Sequence, residues 1–331
     1  MLAFLYYYLP SFRPLFLIYY LRGIGGSLRK LGFVEIILIP LITIIFLVKL
    51  KFGIKPSLLW IRLFFGLWFV SYLPSKYFQS LDKFAPLLAV WTVLEYFLFH
   101  LSPSIVGAWP NYINSEGAIE NVGFSGLFAG PYSWGGNRTV TGVVSLALMI
   151  NEKYFFRRLL FLLSTILSFS TTAFMLLIVY LIFTNLRLIF LTAPIFLFIW
   201  KQVDFGYRLS SDYVLKILFE YKFTQLQDAL AILTDNFIFG NGNIDSQNIS
   251  VANYGLYFGD FMILDLLCIT GIFGFITFIF IIVSKMTKNN WVAILILFIG
   301  SFHYHVLFSL PGQLVFGMLA HNSKISKINN N

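Results

Sequence analysis

Residues 261–283 read FMILDLLCITGIFGFITFIFIIV, an apolar run in which Asp265 is the only charged residue. A run of this length matches the roughly 17 to 25 residues that a helix needs to cross a bilayer. Other apolar runs lie at 2–21, 33–50, 57–73, 84–101, 139–151, 155–169, 172–184, 188–200, 291–302 and 306–320. The pattern therefore predicts a chain built from hydrophobic helices.

The composition leads to the same fold class. Of the 331 residues, 59% are hydrophobic and 11% are charged, which is far more apolar than a water-soluble globule. We expect an all-α polytopic membrane protein with about ten to twelve transmembrane helices, because apolar segments in lipid must satisfy their own backbone hydrogen bonds. Residues 1–331 would form a single integral membrane domain.

Lysines and arginines concentrate in short connecting segments on one side of this map, while the two long polar segments lie on the other. Residues 102–138 are expected to form a first extracytoplasmic loop, and residues 201–260 a large extracytoplasmic loop that contains short amphipathic helices between Tyr213 and Phe239. Residues 322–331 form a polar tail. The net charge of +9, spread over segments that flank apolar runs, favours membrane lipid over nucleic acid as a partner.

Two residues of the first loop carry candidate chemistry. Trp134 suits either anchoring at a membrane interface or stacking on a sugar ring, since the apolar face of a sugar packs on aromatic rings. Arg138 stands just before a predicted short helix, where a cation needs an anion or water. A functional anion contact and a structural salt bridge to Glu116 or Glu120 both remain open for it.

The large loop holds most of the other polar candidates. An amphipathic helix with a solvated polar face explains most of its charges, and a glycine turn around Asn241 is typical of a helix C-cap. The candidate residues of this loop are Tyr207, Arg208, Lys222, Asp228, Asn241, Asp245 and Asp260. Asp260 is either a helix N-cap or a functional carboxylate.

His303 and His305 follow an apolar run on the same side as the long loops. Either is a possible general base or anion contact, and interfacial hydrogen bonding is the simpler alternative. Two histidines with one residue between them do not match a metal-site spacing, so no metal is predicted, and the single cysteine, Cys268, excludes a disulfide within the chain. The chain lacks a phosphate-binding glycine loop, HExxH and GxSxG, so no cofactor is predicted either.

Three stretches carry a resemblance to a known family. They are NRTVTG at Asn137–Gly142, SFSTTA at Ser168–Ala173, and FGNG at Phe239–Gly242 together with Gly259–Asp260 and GIFG at Gly271–Gly274. Their order resembles the bacterial O-antigen polymerase (Wzy-type) and O-antigen ligase family, and the likeness covers roughly residues 120 to 320. This chain has Asp260 where ligases of the family often carry histidine, which favours a polymerase. It also has threonines where the family's serine-rich segment usually has an arginine.

The resemblance implies a fold like that of GT-C glycosyltransferases, in a multi-pass protein of the bacterial inner membrane. The implied reaction joins oligosaccharide repeat units carried on undecaprenyl pyrophosphate into O-antigen, capsular or exopolysaccharide, on the extracytoplasmic face. Donor and acceptor glycans would be the partners, and a chain-length regulator could join them. O-antigen ligase and a flippase or transporter of lipid-linked sugars are the alternatives, followed by a non-catalytic scaffold.

Each candidate residue receives a role from the resemblance. Arg138 and Arg208 would stabilise the departing pyrophosphate without a metal, and Asp260, His303 or His305 would act as the base. The substrate-binding candidates are Trp134, Tyr207, Lys222, Asp228, Asn241 and Asp245. A transporter would instead show internal repeats and charged residues within its apolar runs.

Overall fold

The computed structural model describes residues 66, 67, 70, 73, 75–101, 138–184, 223–235, 237–240, 262–302, 306, 307 and 309–328. These residues form eight helices: α1 (Ser75–Leu101), α2 (Arg138–Asn151), α3 (Phe155–Leu167), α4 (Thr171–Thr184), α5 (Phe223–Asp235), α6 (Met262–Lys285), α7 (Trp291–Gly300) and α8 (Leu310–Ile328). The apolar runs predicted near these positions are helical, and α5 lies within the predicted amphipathic segment.

The predicted membrane architecture is not supported. Within the described part of the chain, no helix is both long enough and apolar enough to cross a bilayer. Helices α2, α3, α4 and α7 have 14 residues or fewer, and α6 is interrupted at Gly271 by non-helical backbone angles. The expected polytopic fold and the expected multi-pass location in a bacterial inner membrane are therefore both wrong for these residues.

Helix α2 lies at the centre of the packed helices. Its residues from Thr139 to Met149 are all buried, and it packs against α3, α4, α7 and α8. Helix α1 packs against α3 and α8. A second, smaller cluster joins α5 to α6 through Ala229, Leu233, Leu264 and Cys268. The larger core thus surrounds the helix that begins at Arg138.

Local sequence explains where two of the helices begin. Ser170 precedes α4, and its hydroxyl accepts a hydrogen bond from the backbone N–H of Ala173 at 3.2 Å. Ser309 precedes α8 and accepts one from Gly312 N–H at 3.2 Å. Both serines act as N-caps, because they satisfy an N–H group that has no partner inside the helix.

Polar residues gather at opposite ends of these helices. The hydroxyl end comprises Tyr96, Thr139 and the segment Ser168–Ser170, which joins α3 to α4. The basic end comprises the start of α3, the end of α4, the neighbouring part of α1 and the α6–α7 connection. The cations of this end whose side chains are described are Lys83, Lys153, Arg157, Arg158, Lys285 and Lys288.

Contacts between described residues hold the elements of the basic end together. Arg157 Nη2 lies 3.1 Å from Asp82 Oδ1, which joins α3 to α1. The rings of Phe78 and His321 stack with centroids 5.4 Å apart, which joins α1 to α8. Asn290 donates a 2.9 Å hydrogen bond from Nδ2 to the carbonyl oxygen of Leu319, which places the α6–α7 connection beside α8.

Candidate functional site

Two of the three stretches that carry the family resemblance meet at the hydroxyl end. Arg138 is the first residue of α2, as its position before a predicted helix suggested, and it is half-buried. The next residue, Thr139, accepts a 3.2 Å hydrogen bond at Oγ1 from Ser170 Oγ. The contact brings together residues that are 31 positions apart in sequence.

The segment Ser168–Ser170 is folded by its own hydroxyl groups. Ser168 Oγ donates to the carbonyl oxygen of Thr165 at 2.7 Å and accepts from the backbone N–H of Ser170 at 3.4 Å. Phe169, between the two serines, has a φ of 50°, in the left-handed region that residues with a side chain rarely adopt. Backbone strain of this kind costs about 1 to 3 kcal/mol and persists only where surrounding contacts enforce it.

The aromatic ring of Phe169 provides one of those contacts. It stacks on the ring of Tyr96, with centroids 5.7 Å apart and an interplanar angle of 9°. Burial raises the pKa of the Tyr96 phenol, because the charged phenolate would lose its hydration. Glu95, the preceding residue, is also buried, at 1% exposure. The phenol at the hydroxyl end is therefore neutral, and the residue before it in the chain carries a buried carboxyl group.

Gly142 allows α2 to approach the Ser168–Ser170 segment closely. A Cβ atom at this position would overlap Ser168 Oγ and would lie 2.7 Å from the Cβ of Ala173 and 3.3 Å from the Cβ of Ser170. Only a glycine leaves room for these atoms without a shift of α2 or α4. The glycine of the NRTVTG stretch thus has a packing role against the SFSTTA stretch.

The third stretch also forms an internal contact. Gly271 has a φ of 67° and interrupts α6, so the N–H groups of Ile272 and Phe273 are not used within the helix. They donate instead to the carbonyl oxygens of Phe237 and Ile238, at 3.0 and 3.2 Å. A Cβ on Gly271 would overlap the Ile238 carbonyl oxygen. A Cβ on Gly271 would also lie 2.5 Å from the backbone nitrogen of Gly240, and the ring centroids of Phe239 and Phe273 are 5.9 Å apart, so the FGNG and GIFG stretches meet.

The hydroxyl end is suited to binding an anion beside Arg138. Guanidinium stays charged at any physiological pH and offers its donors in a fork that fits phosphate or carboxylate. Thr139 follows Arg138 in the chain and bonds to Ser170, and the hydroxyl groups of both residues are neutral. Among the described residues, an anion beside Arg138 would meet a guanidinium group at the start of α2, next to the Thr139 and Ser170 hydroxyl groups.

Most of the other predicted site residues lie outside the described residues: Arg208, Asp260, His303, His305, Trp134, Tyr207, Lys222, Asn241 and Asp245. Asp228 lies on α5, and its side chain is outside the described part. Of the predicted site residues, the structure therefore places the side chain of Arg138 alone.

Sequence reasoning missed the stacking of Tyr96 on Phe169. The two residues are 73 positions apart, and although Phe169 belongs to the SFSTTA stretch, Tyr96 lies outside all three stretches that carry the resemblance. The serines on either side of Phe169 indicated a break between helices, but the left-handed conformation of Phe169 had no sequence signal, because glycine or asparagine is the usual residue there.

The described residues contain no group of three or more histidine, cysteine, aspartate or glutamate side chains that could hold a metal ion. Comparisons with known proteins found no relative of this chain. No family model, curated protein or solved structure matches the chain.

Proposed function

We propose that the chain is a glycosyltransferase that polymerises oligosaccharide repeat units carried on undecaprenyl pyrophosphate. The bond between the anomeric carbon of the donor glycan and the pyrophosphate oxygen breaks, and a new bond joins that carbon to a hydroxyl oxygen of the acceptor glycan. The acceptor hydroxyl gives its proton to a base, and the pyrophosphate carrier leaves as an anion. The product is an O-antigen, capsular or exopolysaccharide chain.

The observation that carries the proposal is the contact between two of the stretches on which the family resemblance rests. Ser170 of the SFSTTA stretch lies 3.2 Å from Thr139 of the NRTVTG stretch, and Gly142 provides the space for this approach. A shared site requires that stretches far apart in sequence meet in space. Arg138 lies beside this contact, at the start of α2.

The role of Arg138 in this reaction would be to stabilise the departing pyrophosphate. Negative charge develops on the phosphate oxygen as the glycosidic bond breaks, and a preorganised cation stabilises that charge. Guanidinium can donate two parallel hydrogen bonds to phosphate oxygens, so a metal ion is not needed for this role. Arg208 is assigned the same role, and Asp260, His303 or His305 supplies the base.

The test is electrophoresis of surface glycan from a strain that lacks the protein, complemented with wild type or a variant. Wild type is expected to restore a ladder of chain lengths, and Arg138→Ala to leave a single repeat unit on the lipid anchor. Arg138→Lys should restore the ladder only in part, since a lysine cannot bind phosphate in a fork. Arg208→Ala is expected to abolish the ladder.

Arg158→Lys at the basic end is the matched control, because it replaces an arginine of a neighbouring helix without removing its charge. It should support a full ladder. A full ladder from Arg138→Ala would remove Arg138 from the mechanism, and an unchanged ladder in the deletion strain would overturn the polymerase proposal. Loss of the single repeat unit would indicate export of lipid-linked sugars, and polymer that is made but not attached would indicate a ligase.

A further inference from the structure

Near the basic end, the helix pair α3 and α4 exposes several large apolar side chains. The two helices are joined by three residues, so they run antiparallel, and Arg158 Nη2 donates to Tyr180 Oη at 3.2 Å. This bond aligns the start of α3 with the end of α4. Residues at the first turn of α3 therefore lie beside residues at the last turn of α4.

The aligned turns present large apolar side chains to solvent. Phe155 and Phe156 begin α3, and Phe183 lies near the end of α4; Phe156 and Phe183 are 82% and 84% exposed. Val179 and Ile182 continue the exposed face along α4. Contiguous exposed apolar side chains of this size are typical of a surface that contacts a partner or a lipid. We call this surface the aromatic face: Phe155, Phe156, Val179, Ile182 and Phe183.

Cations lie at the same end of the bundle as the aromatic face. Lys153 is exposed two residues before Phe155, and Arg157 and Arg158 follow Phe156 directly. Lys288 is exposed in the α6–α7 connection, which the contacts of Asn290 and His321 place at the same end of the bundle. Asp82 and Glu152, the described acidic residues at this end, are both paired with Arg157. A partner that contacts the basic end would therefore meet a positively charged surface.

We propose that the basic end docks on an anionic lipid surface, with the aromatic face inserted among the lipids and the cations of this end on the headgroups. Phenylalanine is typical of the apolar face that interfacial helices bury at the boundary of headgroups and acyl chains, and lysine or arginine near the surface is attracted to acidic lipids. An acidic protein would also bind the cations, but it would not explain why the most exposed large apolar side chains of this end are phenylalanines. The inference stands independently of the proposed glycosyl transfer.

The docking is tested by flotation of the full-length chain with vesicles of phosphatidylcholine alone or mixed with phosphatidylglycerol. Wild type is expected to bind the mixed vesicles more tightly, and added salt should weaken this preference. Lys153→Gln and Lys288→Gln should each lower binding to the mixed vesicles about fivefold, as expected for the loss of one surface cation. Phe156→Ser combined with Phe183→Ser should lower binding to both kinds of vesicle by about tenfold or more.

Phe97→Ser is the matched control for the aromatic substitutions. Phe97 is 56% exposed, but it follows Tyr96 and so lies at the hydroxyl end. Its substitution should leave vesicle binding unchanged, and circular dichroism should confirm that every variant keeps its helix content. Equal binding of wild type to both vesicles, unchanged binding by the lysine variants, or an equal loss in Phe97→Ser would each overturn the proposal.

Discussion

The hydroxyl end and the basic end of the helices place polar groups next to an apolar core in opposite ways. At the hydroxyl end, Thr139, Ser168 and Ser170 are buried and hydrogen-bonded to one another or to backbone. At the basic end, Lys153 and Lys288 are exposed, and Arg157 pairs with Asp82 at the surface. The difference follows from charge: a neutral hydroxyl can be satisfied by a single neighbour, whereas a buried ion loses hydration that few contacts replace.

This difference predicts that the two ends respond unequally to substitution. Buried, mutually bonded groups fill defined space, so a change at one of them alters the packing of several helices. Exposed ion pairs are solvated in both the folded and the unfolded state, so their loss changes stability little. Substitutions at the hydroxyl end should therefore have the larger effects on folding.

Gly142→Ala should produce the largest effect. The added Cβ would overlap Ser168 Oγ and would lie too close to the Cβ of Ala173. Neither residue can move freely, because Ser168 is hydrogen-bonded and Ala173 is buried in α4. Overpacking of this kind typically costs about 1 to 3 kcal/mol, and we expect the upper part of that range here. The free energy of unfolding, measured by chemical denaturation, checks this prediction.

Lys153→Ala is the control for Gly142→Ala, because it also changes one residue to alanine but at an exposed position of the basic end. It should change the free energy of unfolding by no more than about 0.5 kcal/mol. Equal effects of the two variants would contradict the tight approach of α2 to the Ser168–Ser170 segment.

Ser170→Ala should have an intermediate effect. The substitution removes the N-cap of α4 and leaves the buried Thr139 hydroxyl without its partner on Ser170. Loss of a serine cap typically costs about 1 kcal/mol, and the Thr139 contact adds to it. Ser170→Thr retains a hydroxyl group and should recover most of the loss in free energy of unfolding.

Thr184→Ala provides the comparison at the other end of the same helix. The Thr184 hydroxyl donates to the carbonyl oxygen of Tyr180 at 2.7 Å, but the residue is exposed, so water can replace the bond. The change in the free energy of unfolding should stay within about 0.5 kcal/mol. A loss as large as that of Ser170→Ala would contradict the claim that burial separates the two ends.

Helix positions were the part of the fold that sequence could predict. The ends of α2 and α4 lie close to the apolar runs 139–151 and 172–184, because a hydrophobic run and the capping serine act locally. The prediction that these runs cross a bilayer failed because apolar character alone does not set helix length. In α6, Gly271 interrupts a run that reads as continuous.

The contacts that define the candidate site were harder to predict from the sequence. The pairing of Ser170 with Thr139 and the stacking of Tyr96 on Phe169 depend on how α1, α2 and α4 pack, and no local pattern encodes that packing. Arg138 was identified because it starts a helix, which is a local feature. The approach of Ser170 to Thr139, the residue after Arg138, could be found only from the fold.

The smallest effect is expected at Arg157, where two ion pairs differ in exposure. Its Nη2 lies 3.1 Å from Asp82 Oδ1, whose side chain is 45% exposed, and its Nε lies 2.9 Å from Glu152 Oε2, whose side chain is 8% exposed. In double-mutant cycles, Arg157→Gln with Asp82→Asn should give a coupling below about 1 kcal/mol that salt abolishes.

The cycle with Glu152→Gln should retain more of its coupling in salt, because counterions reach the buried carboxylate less easily. Glutamine keeps an acceptor oxygen for the backbone N–H groups of Lys153 and Tyr154, which bond to Glu152 Oε1 at 2.8 and 3.0 Å, so the start of α3 should remain intact. Equal salt sensitivity of the two cycles would show that solvent reaches both pairs alike. The basic end would then consist wholly of surface charge, and its contrast with the hydroxyl end would be sharper than the structure indicates.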